Sequence, residues 1–97
     1  MENKTDLSDD EIKRGLPEGW SYSSNALHKS WHFERFMEMP DFVIRAVGLM
    51  NELNHHADIS MNTKTKTVKV SVTTHSEGRV TRADMQFAEK VNNYIGF

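Results

Sequence analysis

Cysteine is absent from this 97-residue sequence, which excludes disulfide bonds, a thiol nucleophile and metal sites that depend on thiolate ligands. No apolar run approaches the ~18 residues of a transmembrane helix. Neither sign of charge dominates, since 12 basic and 14 acidic residues give a net charge of -2. We therefore expect a protein that contacts neither a membrane nor nucleic acid directly.

The first ten residues are polar and do not have the apolar core of a signal peptide. Together with the missing cysteines, this favours a cytoplasmic protein. The length fits one domain over residues 1–97, in which residues 1–7 form a flexible tail. Because a domain this small has a thin core, we also expect a homo-oligomer, either a dimer or a tetramer.

Two capping signatures mark the beginnings of helices. Ser8 followed by Glu11 has the spacing of a capping box and predicts a short helix over Asp9–Arg14. Thr81 followed by Asp84 has the same spacing and predicts a helix in the last part of the chain. The apolar stripe of this last helix consists of Met85, Ala88, Val91 and Ile95.

The longest predicted helix begins at Pro40 and Asp41 and ends near Asn54. Apolar residues recur along it at intervals of three and four, which is the pattern of a helix with one buried side. The stripe consists of Phe42, Ala46, Leu49, Met50 and Leu53, and is widened by Val43 and Val47.

Apolar and polar residues alternate in two other regions, as they do in strands with one buried face. Residues 20–33 predict a hairpin that breaks at Ser24 and Asn25, and residues 58–73 predict a second hairpin. The order is helix, strand, strand, helix, strand, strand, helix. It predicts an α+β fold, with a four-stranded antiparallel sheet and about three helices packed on one face.

Most of the residues that could carry chemistry lie at the ends of two predicted elements. These residues are Asn54, His55 and His56 after the long helix, and Thr73, Thr74, His75 and Ser76 after the last strand. Several imidazoles in one pocket could supply both a general acid and a general base near neutral pH. A histidine at a helix C-terminus also interacts favourably with the helix dipole, so a structural role for His55 or His56 stays open.

The sequence has two other histidines, and a metal site is an alternative to acid/base catalysis. His28 and His32 lie on the polar side of a predicted strand, and we interpret them as solvated surface residues. Adjacent helical residues point ~100° apart, whereas the usual zinc-binding pair on a helix is four residues apart. With no cysteine and no obvious carboxylate ligand, we expect no metal.

The segments around these residues resemble the signature region of the pterin-4a-carbinolamine dehydratases. They are Leu53-Asn54-His55-His56-Ala57-Asp58-Ile59, the strand that ends in Thr73-Thr74-His75, and Thr81-x-x-Asp84. The upstream strand Leu27-x-Lys29-x-Trp31-x-Phe33 is similar to theirs as well, so the resemblance covers about residues 20–91. It departs from the family at Asn51, where an acidic residue is usual, and at Ala57, where proline commonly follows the histidine pair.

The resemblance implies both a fold and a reaction. The fold is a four-stranded antiparallel sheet covered by helices, in agreement with the periodicity. The reaction is the loss of water from a 4a-hydroxytetrahydropterin to give quinonoid dihydropterin, a lyase step of tetrahydrobiopterin metabolism that needs no cofactor. It also implies that His55, His56 and His75 are catalytic.

Five further residues match family positions that bind the substrate. Asn54, Thr73, Thr74 and Ser76 match residues that line the pterin pocket, and Asp84 matches a family carboxylate. The spacing of Asp84 from Thr81 fits a structural helix cap equally well, so both roles stay open.

A second class of function also stays open. Some members of the family act by binding other proteins, as a transcriptional coactivator or in assembly of the carbon-fixing enzyme. Such a scaffold would not need the histidines. Their presence therefore favours the enzyme over the binding module.

Overall fold

Seven helices and strands follow one another in the computed structural model, which describes residues 7–94. They are α1 (Asp9–Arg14), β1 (Ser21–Ser23), β2 (Ala26–His32), α2 (Glu38–Leu53), β3 (Asp58–Asn62), β4 (Thr67–Val72) and α3 (Arg82–Tyr94). The strands form one antiparallel sheet in the order β1-β2-β4-β3. The predicted fold class and order of elements are confirmed.

The core lies between one face of the sheet and the helices. Ile12 of α1, Phe42 of α2 and Phe87 of α3 are completely buried in the same hydrophobic cluster. The ring of Phe42 packs against Trp31 and Phe33, with centroid distances of 4.6 and 5.5 Å. From β4, the cluster receives Val68, Val70 and Val72. Burial of these large side chains supplies most of the driving force for folding.

The N-terminal region matches its prediction closely. Ser8 Oγ accepts a hydrogen bond from the Glu11 backbone at 3.2 Å, and Glu11 Oε1 accepts one from the Ser8 backbone at 3.0 Å, so the capping box is confirmed. Leu7 is buried in the core. Residues 1–6 of the predicted flexible tail lie outside the described part of the chain.

The long helix differs from its prediction at both its beginning and its surface. It begins at Glu38, so Pro40 lies in the first turn, where the backbone N–H groups have no partner within the helix and proline is tolerated. Val47 is 51% exposed and does not widen the buried stripe as predicted. Its neighbour Ala46 is completely buried, and successive side chains diverge by ~100° around a helix.

The two hairpins leave one sheet face open. Ser24 and Asn25 both have positive φ (51° and 58°), as a two-residue hairpin turn requires, so the predicted break is confirmed. On the open face, His28 Nδ1 lies 2.8 Å from Ser71 Oγ, while His32 is exposed. His28 is therefore bonded within the sheet and is not simply solvated.

The last helix packs against the core through its predicted apolar stripe, in the part that the structure describes. Ala88 and Val91 are buried and Met85 is partly buried, whereas Ile95 lies outside the described residues. Within residues 7–94, no helix is long and apolar enough to cross a membrane.

Candidate active site

The α2 helix ends at a left-handed residue that redirects the chain. Asn54 has φ 52° and ψ 43°, a conformation that asparagine tolerates better than most side chains. The next backbone N–H, that of His55, donates to the Met50 carbonyl at 3.0 Å. As a result His55 is only 4% exposed, while Asn54 and His56 are exposed.

The buried imidazole of His55 contacts a carboxylate on another helix. Nε2 of His55 lies 2.6 Å from Oδ1 of Asp84, which is completely buried. The other oxygen, Oδ2, accepts hydrogen bonds from the Thr81 backbone at 2.8 Å and from the Thr74 hydroxyl at 2.7 Å. Three donors therefore surround this carboxylate, which compensates for its removal from water.

A tight turn connects β4 to α3. The Thr74 backbone donates to the Arg79 carbonyl at 3.2 Å, and the Gly78 backbone donates to the His75 carbonyl at 3.2 Å. Gly78 has a φ of 64°, which a residue without a Cβ adopts at little cost. The turn holds His75 and Ser76 on the surface, where both are exposed.

The hydrogen bonds to Asp84 join the end of α2, the residues after β4 and the beginning of α3; we call this meeting point the Asp84 junction. His56 directly follows His55, and His75 directly follows Thr74. Since consecutive Cα atoms are ~3.8 Å apart, both exposed histidines are one residue away from a member of the junction. The two predicted element ends therefore meet around Asp84.

The five residues predicted to bind substrate are in different surroundings. Asn54 and Ser76 are exposed. Thr74 and Asp84 are buried, with exposed fractions of 2% and 0%, and bond to each other. Thr73 is half-buried, and its hydroxyl donates to the Asn25 carbonyl at 2.7 Å, in the β1–β2 turn rather than in the Asp84 junction.

Sequence reasoning missed the part that Thr81 plays in the junction. Its backbone N–H donates to Asp84 and its Oγ1 accepts from the Ala83 backbone at 3.3 Å, so the predicted cap is present. Its Oγ1 also lies 2.8 Å from Thr74 Oγ1. The spacing of Thr81 and Asp84 indicates the cap, but nothing in it indicates the contact with Thr74. Asp84 combines the capping role with the bond to His55.

No group of three histidine, aspartate or glutamate side chains over residues 7–94 is arranged to hold a metal ion. The junction instead offers one buried imidazole paired with a carboxylate, and an exposed histidine directly follows each of His55 and Thr74 in the chain. Such a set can donate, accept and position protons.

The profile of one protein family, described as pterin 4 alpha carbinolamine dehydratase, matches residues 5–94. The chain belongs to this family. A family relative from Sulfolobus acidocaldarius is 40% identical over 88 residues, which cover 89% of this chain and 94% of the relative. Another from Mycolicibacterium smegmatis is 34% identical over 91 residues, covering 92% and 95%. Both are named provisionally as pterin-4-alpha-carbinolamine dehydratases.

Two solved structures have the same fold as this family member. A transcriptional coactivator/pterin dehydratase from Brucella melitensis superposes with a TM-score of 0.80 at 28% identity, covering 90% of this chain and 95% of the other. A pterin dehydratase-like protein, identified as a RuBisCO assembly factor in the alpha-carboxysome, gives a TM-score of 0.62 at 20% identity. The match covers 79% of this chain and 87% of the other. The second likeness concerns the fold alone.

Proposed function

We propose that this family member is an active dehydratase, which removes water from a 4a-hydroxytetrahydropterin and releases quinonoid dihydropterin. The observation that supports it most is the Asp84 junction, where one carboxylate holds His55 and Thr74. The exposed His56 directly follows His55 in the chain, and the exposed His75 directly follows Thr74. The names of the relatives support the same substrate class.

The proposed reaction breaks the bond between C4a and its hydroxyl oxygen. That oxygen takes up a proton and leaves as water, while a ring nitrogen loses a proton, so protons balance over the whole step. Imidazoles can carry out both transfers near neutral pH. We assign the transfers jointly to His55, His56 and His75, and the step as written requires no metal and no cofactor.

The three histidines would contribute differently because their exposure differs. His56 and His75 are exposed and can reach a pterin on the surface, whereas His55 is 4% exposed and would form the floor of the site. The bond to Asp84 would fix which nitrogen of His55 carries the proton. Asn54 and Ser76, also exposed, are the predicted binding residues best placed to contact the polar edge of the pterin.

The proposal is tested by an assay on the wild-type protein. An aromatic amino-acid hydroxylase generates the 4a-hydroxytetrahydropterin in situ, and ultraviolet absorbance follows its dehydration. We expect the protein to accelerate dehydration in proportion to its concentration. A folded protein that leaves the uncatalysed rate unchanged would contradict the enzyme proposal.

We further propose that the protein is a homo-oligomer that pairs through the outer surface of α2. Ile44 and Val47 are 69% and 51% exposed on this helix, and Met37, which precedes it, is 65% exposed. Apolar side chains grouped on one exposed surface commonly mark an interface. The thin core of a small domain supports the same conclusion.

Ile44→Glu is expected to weaken assembly, because a carboxylate would be buried in an apolar interface without a partner. Light scattering over a micromolar concentration series should then give the mass of a single chain, while the wild type gives a multiple of it. Lys90→Glu, an equally large change on the exposed part of α3, is the control and should assemble normally. A monomeric wild type would rule out the oligomer.

A protein-binding module is the second candidate function. The exposed apolar surface of α2 favours it, since a different protein could cover the same side chains. The name of the Brucella melitensis structure combines a coactivator with a pterin dehydratase. This candidate would lead if the wild type folds but does not accelerate dehydration.

A further inference from the structure

The hydroxyl of Thr74 lies between two oxygen atoms at the centre of the Asp84 junction. Its Oγ1 is 2.7 Å from Asp84 Oδ2 and 2.8 Å from Thr81 Oγ1. Thr74 is 2% exposed, and Thr81 and Asp84 are completely buried. Both contacts are therefore shielded from water. A hydrogen bond to a carboxylate is stronger in such a buried environment than at the surface.

The direction of these hydrogen bonds follows from counting protons. A hydroxyl has one proton to donate, and an ionised carboxylate only accepts. Thr74 therefore donates to Asp84, and Thr81 must donate to Thr74. The Thr81 oxygen accepts in turn from the Ala83 backbone at 3.3 Å. The bonds run in one direction, from the beginning of α3 through Thr81 and Thr74 to Asp84.

We propose that Thr74 and Thr81 are positioning residues, whose hydroxyls orient the Asp84 carboxylate toward His55. The Thr74 hydroxyl and the Thr81 backbone hold Oδ2 from two sides, which leaves Oδ1 directed at His55 Nε2 at 2.6 Å. Thr74 was predicted to bind substrate, but its only hydroxyl proton is already donated to Asp84. Its effect on the reaction, which rests on the proposed dehydratase function, is therefore exerted through His55.

Removal of the Thr74 hydroxyl tests this role with little change in shape. In Thr74→Val, we expect kcat to fall roughly ten-fold or more, the scale of losing one hydrogen bond to a charged group, while KM changes less than about two-fold. Thr74→Ser keeps the donor and should recover most of kcat. Thr81→Val should cause a smaller fall, because it removes a donor one step further from Asp84, and Thr81→Ser should recover it.

Thr67→Val is the matched control. Thr67 lies at the beginning of β4, and its hydroxyl donates to the Thr65 carbonyl rather than to the junction. The same loss of a hydroxyl there should leave kcat and KM at the wild-type values. Thermal unfolding of every variant shows whether a lower rate merely reflects unfolding. If Thr81→Val fails to fold for lack of its helix cap, the comparison of Thr74→Val with Thr74→Ser alone decides whether a hydroxyl orients Asp84.

A second readout does not depend on turnover. The proton on His55 Nε2 should give a downfield imidazole signal in the NMR spectrum, because it is bonded to a buried carboxylate. We expect Thr74→Val to shift or broaden this signal, Thr74→Ser to restore it, and Thr67→Val to leave it unchanged. This measurement reports on the orientation of Asp84 even if the protein has no dehydratase activity.

Three outcomes would overturn the proposal. A raised KM with unchanged kcat in Thr74→Val would mean that Thr74 contacts the pterin directly. An unchanged His55 signal in Thr74→Val would mean that the hydroxyl does not orient Asp84. Failure of Thr74→Ser to restore both readouts would mean that the side chain acts through packing. An inactive wild type with the expected NMR changes would reject the dehydratase function and leave the orientation of Asp84 by Thr74 supported.

Discussion

His75→Ala is expected to lower the rate of pterin dehydration by roughly 10²-fold or more, the usual scale for losing a positioned acid or base. We expect His56→Ala to have an effect of the same order. Both imidazoles are exposed, so their removal leaves no cavity. The free energy of unfolding should therefore change by less than about 0.5 kcal/mol.

The measurement compares kcat for both variants with that of the wild type, with chemical denaturation to check stability. His32→Ala is the control. His32 is also exposed, but it pairs with Thr67 at the beginning of β4, whereas His75 follows the end of that strand. It should dehydrate the pterin at the wild-type rate. If all three variants dehydrated the pterin at the wild-type rate, catalysis would depend on other residues.

Asp84→Asn is expected to reduce kcat further, by about 10²- to 10⁴-fold, because it changes the proton position on a buried histidine. With aspartate, Nε2 of His55 donates to Oδ1. With asparagine, the amide oxygen is needed by Thr74 and Thr81, so the amide NH₂ faces His55. The imidazole must then accept at Nε2 and carry its proton on Nδ1, which inverts its donor and acceptor sites.

The same substitution should also destabilise the fold. Asp84 accepts three buried hydrogen bonds, and the amide replaces a charged acceptor with a neutral one. We expect the free energy of unfolding to fall by about 1–3 kcal/mol, the range for hydrogen bonds to charged groups. Urea denaturation measures this loss, and ¹⁵N shifts of the His55 ring report its protonated nitrogen.

Glu89→Gln provides the control for charge, since Glu89 lies on α3 as Asp84 does but is exposed. It should change neither kcat nor the stability beyond about 0.5 kcal/mol. If Asp84→Asn kept the wild-type rate while His55 changed its protonated nitrogen, the proton position on His55 would not matter for catalysis.

Much of the fold could be predicted because local signals were strong and consistent. The capping box of Ser8 and Glu11, the left-handed turn at Ser24 and Asn25, and the alternation of valines along β4 each act over a few residues. Val47 was harder to predict, because an apolar residue at the margin of a helical stripe can face either the core or another protein. Periodicity alone does not distinguish these two environments.

The candidate site could be predicted only in part. His55, His56 and His75 were predicted because imidazole can act as a general acid or base near neutral pH, and their catalytic role stays a prediction. The bond between His55 and Asp84 spans 29 positions, and that between Thr74 and Asp84 spans 10. Such contacts depend on how α2, β4 and α3 pack together, which residue spacing does not encode. For the same reason the interaction of Thr81 with Thr74 was not foreseen.

The helix cap at the beginning of α3 has a consequence for motion in the native state. The Asp84 carboxylate caps this helix by accepting from the Thr81 backbone N–H, and it also binds His55. Because Asp84 lies in the first turn of α3, a fluctuation that moves its carboxylate away breaks the bonds to Thr81 and to His55 together. Exchange of the Thr81 amide with deuterium requires such an opening. The reciprocal of its protection factor gives the fraction of molecules in which the bond from Thr81 to Asp84 is open.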